Sequence, residues 1–348
     1  MNTHKHGYRN LLLRHETLLL VGLVAEWLFF YCAGTRHNFS GATVGFGTAG
    51  AQADIVTHAC EIGLLALVMT PVILTGGIDL SVGSLMGLSA VIFGKLWRDA
   101  GVPIPAALTV TLALGALAGG LNATLITFLR LPPLIVTLGT FSLFRGLAEA
   151  LTHGVDTFTG FPAGFTALGQ GSWLGLPVQL YVFALVAVGV WVLVHRTTWG
   201  RSFRAIGFAP EGAKYAGLPV TRRLVSVYVL AGVVAALAGL IFTARLNQAK
   251  ADAGTGYELF AITAVVLGGT SIFGGSGGVP GTLLGWGAVA VLSDSLTYVG
   301  WPREIGGMLT GVLLIVALTA SGGLKILSRR RPRPHPAPSS PPSTLSPP

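Results

Sequence analysis

Apolar residues along the chain gather into stretches of about 20, the length an α-helix needs to cross the hydrocarbon core of a bilayer. They predict helices near 17–33, 56–75, 80–97, 105–129, 133–151, 178–194, 224–244, 258–273, 280–299 and 305–322. The expected fold class is an all-α integral membrane protein of about ten membrane helices, some short or interrupted. Residues 1–16 then form an N-terminal segment, 17–322 the membrane domain and 323–348 a tail. The tail reads Arg-Arg-Arg-Pro-Arg-Pro-His-Pro followed by Pro and Ser, which cannot build a core, so disorder is expected there. The stretch 258–273 is short and glycine-rich, which predicts a partly re-entrant segment.

The sharpest local break in the pattern is Thr75-Gly76-Gly77-Ile78-Asp79-Leu80-Ser81-Val82-Gly83-Ser84, which sets one carboxylate in an otherwise uncharged run from Ile62 to Gly94. Gly76-Gly77 ends a helix, and Asp79 and Ser81 are natural caps for a new one starting near Leu80. A carboxylate at such depth faces protein or a water-filled path, because lipid cannot solvate it. Asp79 therefore either borders a solute path or only caps a helix. A weak echo of this segment, Gly268-Gly269-Thr270-Ser271-Ile272-Phe273-Gly274-Gly275-Ser276, suggests a duplicated break, as in transporters built from repeats.

Composition fits this picture. Of 348 residues 52% are hydrophobic and 10% charged, with a mean hydropathy of +0.71, whereas soluble domains carry roughly a quarter charged residues. The net charge of +9 and pI near 10.0 come from basic residues in short loops and tails, so nucleic acid is not an expected partner. Lys5, Arg9, Arg14, Arg130, the Arg196–Arg223 loop, Lys325 and Arg329–Arg333 fall on one side of the expected membrane. Arg36, Arg98, Arg245, Lys250 and Arg303 fall on the other. By the positive-inside rule both termini are cytoplasmic and the helix count is even. The basic N-terminus before Leu18–Ala33 imitates a signal peptide, but Glu26, Trp27 and the spans behind it favour an uncleaved first helix.

Glycine occurs 49 times. The pairs and triplets Gly83/Gly87, Gly115/Gly119, Gly277/Gly281/Gly285 and Gly307/Gly311 put small notches on single helix faces, which predicts close helix packing. Cys32 and Cys60 have no metal-ligand spacing and suggest neither a disulfide framework nor a metal site. The glycine-rich run 268–287 contains no Lys, so a phosphate-cradling loop is disfavoured; no zinc-protease motif or intramembrane carboxylate pair is present. No cofactor is expected, and any nucleotide hydrolysis belongs to another polypeptide.

Three further features carry expectations. The uncharged-but-for-Asp156 loop Thr152–Pro177 either packs over the helices, meets an outer partner or simply connects. Arg145 and Glu149, one helical turn apart, are expected to pair. Tyr257 and Glu258, after Asn247, Gln248, Lys250 and Asp252, offer hydroxyl, amide and carboxylate groups suited to a polyhydroxylated solute, or else a wet loop touched by a partner. Within Arg196–Arg223 a short helix is predicted between Pro210 and Gly217, with Glu211 favouring its N-terminal dipole.

Several of these segments carry a family resemblance. Thr75–Ser84 resembles the Gly-Gly-Ile-Asp-Leu-Ser-x-Gly-Ser signature of permease subunits in ribose-type, branched-chain-like ABC sugar importers. Leu131–Thr140, Arg145-Gly146-Leu147, Ala253–Gly269 and Gly274–Gly277 continue the similarity, which covers about residues 55–320. Gly101–Pro105, Gly119–Ala123 and Gly160–Phe165 look most like the autoinducer-2 and rhamnose branch. Glu211-x-Ala213-x-x-x-Gly217-Leu218 resembles the Glu-Ala-Ala…Gly coupling loop that such permeases insert into their ATPase, with Gly212 replacing the middle alanine.

The resemblance implies an inner-membrane, multi-pass transport subunit that is not an enzyme. A separate ATP-binding cassette ATPase, an extracytoplasmic solute-binding protein and a second permease subunit, self or paralogue, would be its partners, and a sugar-like solute its cargo. It implies a path bordered by Asp79, Ser81, Ser84, Asn122, Thr137, Thr140, Tyr257, Glu258, Thr270 and Ser271, and ATPase coupling through Glu211, Ala213, Lys214, Gly217 and Leu218. The competing class is an ion-coupled secondary transporter with Asp79 as the coupling group.

Overall fold

The computed structural model describes residues 15–37, 43–302 and 304–329. Its helices are α1 His15–Ala33, α2 Ala49–Leu74, α3 Val82–Arg98, α4 Ile104–Thr127, α5 Pro133–Leu151, α6 Ala163–Gln170 and α7 Val178–Trp191. Then follow α8 Thr198–Phe208, α9 Pro210–Tyr215, α10 Val220–Leu246, α11 Tyr257–Leu267, α12 Val279–Ser295 and α13 Glu304–Arg329. Among the described residues seven helical stretches are long and apolar enough to cross a membrane, and shorter apolar helices cover Tyr257–Leu267 and Ile305–Thr319. With the 17-residue α3, each sequence-predicted apolar stretch has its helix. The fold is all-α, its strands being pieces of two or three residues.

The boundaries moved where turn chemistry or packing overrode hydropathy. The helix expected over 56–75 begins at Ala49, because Thr48 caps it by accepting from the Ala51 amide. The one expected over 258–273 stops at Leu267, since Gly269, Gly274, Gly275 and Gly277 all take positive φ and coil the chain instead. The last helix continues through Arg329, past the expected edge at 322. Residues 1–14 and 330–348, which hold most of the two terminal segments, lie outside the described residues.

Helices α2, α3 and α10 form the centre, and α2 is the most enclosed span. The glycine notches explain how they approach so closely. A Cβ at Gly119 would overlap the Tyr228 carbonyl, one at Gly232 the Gly115 carbonyl, and one at Gly239 the Met86 carbonyl. Gly281 and Gly285 likewise sit against the Gly268 and Ala264 carbonyls. Gly307/Gly311 departs from expectation: a Cβ at Gly307 would meet only the tip of the Phe260 ring, at 3.9 Å, and one at Gly311 would meet nothing within 4 Å.

Helix α1 stands at the edge, its span only 6% buried. An aromatic knot of Phe30, Phe46, Trp27 and Tyr298 holds it, and the Trp27 indole donates to Gln52 Oε1 at 3.0 Å. The Thr152–Pro177 loop packs over the helices. Its short strand Phe158–Thr159 pairs antiparallel with Gln248–Ala249, and Phe161 and Phe165 stack on Phe93 and Trp97. Both cysteines are free, Cys32 exposed and Cys60 buried.

The notches generate a contrast. Gly119→Val forces α4 off α10 and is expected to cost about 1–3 kcal/mol or more through overpacking, lowering the thermal unfolding midpoint in detergent. Gly311→Val should leave that midpoint unchanged.

Candidate functional site

Between α2 and α3 the chain runs unwound from Thr75 to Ser81, with Thr75, Gly77, Asp79 and Ser81 buried and Gly76 opening onto a cavity; irregular backbone is tolerated at membrane depth where it is buried in protein or lines such a cavity. Asp79, 2% exposed, accepts from the Ser81 amide at 2.9 Å and the Ser81 hydroxyl at 2.6 Å through one oxygen. Ser81 Oγ in turn accepts from Asn122 Nδ2 at 2.9 Å, and Asn122 Oδ1 accepts from Thr140 Oγ1 at 2.7 Å. Thr137 donates to the Ile78 carbonyl at 3.0 Å, and Ser84 to the Ser81 carbonyl at 2.9 Å. Six residues singled out from the sequence thus meet in one network tying the break to α3, α4 and α5. Asp79 caps Ser81, and the helix starts one residue later, at Val82.

The second break, Gly268–Gly278, lies directly on the first. Gly275 donates its amide to the Leu74 carbonyl at 3.0 Å, and the Ser271 amide bonds the Ser276 carbonyl at 2.9 Å. Beside them Thr70 and Thr282 share a hydroxyl hydrogen bond of 2.8 Å between α2 and α12. Thr270 is buried, its Oγ1 aimed at Gly277. Gly207, near the end of α8, closes the junction, since a Cβ there would overlap the Leu74 carbonyl. Arg204 adds bonds from α8 to the Val194 and Gly277 carbonyls.

Helix α9 follows at once, with the predicted bounds. Pro210 opens it, and Gly217 at φ +78° ends it, its amide bonding the Lys214 carbonyl at 3.0 Å while Leu218 bonds Ala213 at 3.1 Å. Ala213 is turned inward; Glu211 and Lys214 face outward. Two aromatic side chains unremarked in the sequence flank the helix: Phe208 is 87% and Tyr215 88% exposed. A cavity of 560 Å³ separates α9 from the first break, reaching from Glu211 and Lys214 to Thr75, Gly77 and Tyr228.

The remaining predicted residues lie elsewhere. Glu258 is buried against Gly83, and Tyr257 lines a separate 380 Å³ cavity. The expected Arg145–Glu149 pair does not form: the guanidinium donates to the Ala251 and Ala253 carbonyls. The chain before α11 folds back far enough to bring those carbonyls into its reach. Asn247 accepts from the Phe161 amide at 2.8 Å, anchoring the outer loop. Beside the second cavity, Glu61, fully buried, pairs with Arg245 Nε at 2.7 Å. Neither residue stood out in the sequence as a site. Each is a lone charge in or at the end of an apolar span, and that was the only available signal.

The family described as branched-chain amino acid transport system / permease component matches residues 52–318. The chain belongs to that family. This permease is 41% identical over 262 residues, 74% of its own length and 79% of theirs, to proteins called autoinducer 2 import system permease protein LsrD. Examples come from Escherichia coli O9:H4 (strain HS), Escherichia coli (strain K12) and Shigella flexneri. No solved structure matches it. The permease is therefore a membrane transport subunit of an ABC importer, not an enzyme, which sets aside the ion-coupled alternative.

The permease's buried ion pair yields a test. Arg245→Met leaves Glu61 uncompensated and should cost about 3–5 kcal/mol, read as a lower unfolding midpoint. Adding Glu61→Leu to it should restore most of that loss.

Proposed function

We propose that this permease carries a monosaccharide-like solute, of the autoinducer-2, rhamnose or ribose type, into the cytoplasm. Under this proposal a separate ATPase drives it, an extracytoplasmic binding protein supplies it, and a second permease subunit completes the pathway. Both termini and the α8–α9 segment face the cytoplasm, in keeping with the concentration of Lys and Arg there.

The observation that carries this proposal is the continuity of α9, α8 and the two breaks. The ATPase grips α9 through Glu211, Lys214 and the exposed Phe208 and Tyr215, with Ala213, Gly217 and Leu218 holding the helix's shape. A push on α9 moves Gly207, which touches Leu74 and Gly275 at once. Closely packed backbones transmit displacement because they have no slack to absorb it. Asp79, Ser81, Ser84, Asn122, Thr137 and Thr140 keep the first break closed, Thr270 and Ser271 belong to the second, and Tyr257 and Glu258 lie at the opposite end. The path opens when the breaks shift against each other.

Two substitutions test this in proteoliposomes holding the assembled importer. Glu211→Lys should reduce ATP-driven uptake to the ATP-free background while leaving membrane insertion and folding intact; normal uptake would refute the coupling role. Asp79→Ala removes the acceptor of two hydrogen bonds and should lower both uptake and thermal stability, by about 1–3 kcal/mol. Asp79→Asn keeps an acceptor oxygen and should retain most uptake, an outcome that a charge-dependent role for Asp79 would not allow.

A further inference from the structure

Away from the two breaks, α3, α4 and α5 enclose a groove. On α3, Leu88, Ile92, Lys95 and Asp99 recur every three or four residues and so share one face. The other face, with Phe93 and Trp97, is covered by Phe161 and Phe165 of the outer loop. Helices α4 and α5 each turn an apolar stripe toward the free face, Leu114 to Leu121 and Phe144 to Leu151, seven residues apart in both cases. Together the three helices line a 350 Å³ trough, and this adjoins a 490 Å³ cavity through Ile92 and Leu151, which border both. Leu88 and Phe144 are buried at its floor, while Leu117 and Leu147 are exposed along its rims.

We propose that this groove binds one acyl chain of a membrane phospholipid, whose headgroup sits at Lys95, Arg98 and Asp99. The inference requires only that the chain is embedded in a bilayer, and stands apart from the solute and the motor proposed above. Length and depth support it. Below the groove, Asn122 accepts from Thr140 at 2.7 Å, tying α4 to α5 one residue past Leu121 and one turn before Phe144. The groove's far end is the last turn of α3. Between Leu88 and Asp99 that helix rises about 16 Å, and one leaflet accounts for half of a hydrocarbon core about 30 Å thick. A chain from that leaflet therefore fills the groove from end to end. The described lining is apolar except at Lys95 and Asp99, which both stand at the far end.

Charge at the mouth matches a phosphodiester headgroup. Lys95 and Asp99 form an exposed ion pair at 3.0 Å, and Arg98 is exposed in the same turn. Such a pair on a helix surface is held weakly, so the ammonium can turn to a lipid phosphate while the carboxylate meets a headgroup amine. Lysine and arginine lay their stems along apolar surface and carry the charge out to the interface, the position that the end of α3 gives them. A second permease subunit seated on this face would have to desolvate those three charges, whereas a phospholipid leaves them in the headgroup layer. The occupied groove lies directly above the bond that joins Asn122 of α4 to Ser81 at the first break.

The test weighs the full chain intact by native mass spectrometry after stepwise delipidation in detergent, with palmitoyl-oleoyl phosphatidylethanolamine as the probe. One phospholipid should stay bound after the rest are stripped. Ala118→Trp, which fills the trough, should lower the retained fraction severalfold, and Leu185→Trp, on an exposed position of α7, should leave it unchanged. Lys95→Gln together with Arg98→Gln should also lower retention severalfold while keeping the unfolding midpoint of the delipidated chain. Dioleoylglycerol, which has the acyl chains without the phosphate, should fail to displace the bound lipid. The mouth variant keeps the test decisive if Ala118→Trp does not fold. The site is overturned if no phospholipid outlasts the others, if either variant retains it as the unaltered chain does, or if dioleoylglycerol displaces it. It is equally overturned if Leu117→p-benzoylphenylalanine, irradiated in native membranes, captures a second permease chain in place of lipid.

Discussion

The structure depends on one requirement, that backbone groups released by broken helices inside a membrane find partners within the protein. Ending α2 at Leu74 frees carbonyls that no following turn can use. The second break meets that need by donating the Gly275 amide to Leu74, at 3.0 Å. Asp79 takes the Ser81 amide, and Thr137 reaches the Ile78 carbonyl. Each unwound segment is thus tolerable only because other parts of the fold lie against it. The two breaks form a single joint rather than two independent weak points.

That joint explains the density of glycine. Where the hydrophobic effect gives helices no reason to associate, as in lipid, contact area has to come from close backbone approach. Gly207, Gly274 and Gly76 bring three chain segments within contact at one place, and Gly115, Gly119 and Gly232 do the same for α4 and α10. Side chains larger than hydrogen would separate α8 from the two breaks. The same economy of space puts Glu258 against Gly83 and lets the Arg145 guanidinium reach the chain beyond Gly87.

What was legible in the sequence followed from local physics. Length and hydropathy identified the membrane helices, Pro210 and Gly217 bracketed the short helix α9, and a carboxylate beside paired glycines located the first break. What was not legible depended on contacts distant in sequence. The partner of Arg145 could not be chosen between Glu149 and the carbonyls of Ala251 and Ala253, because the fold-back before α11 leaves no periodic trace. Gly307/Gly311 had the spacing of a packing notch without a neighbouring backbone to pack on. Hydropathy alone likewise overran α11, where glycines with positive φ ended the helix at Leu267.

The Glu61–Arg245 pair has a consequence for biogenesis. The two residues are 184 positions apart, and a ribosome adding on the order of 5–20 residues per second delivers the acid long before its counter-ion. For roughly ten to forty seconds at that pace, α2 must sit in or beside the insertion machinery with an unmatched acid. The contact that ties α2 to the end of α10 is therefore made only once the carboxy-terminal half has emerged, so the central helix gains its final partner late.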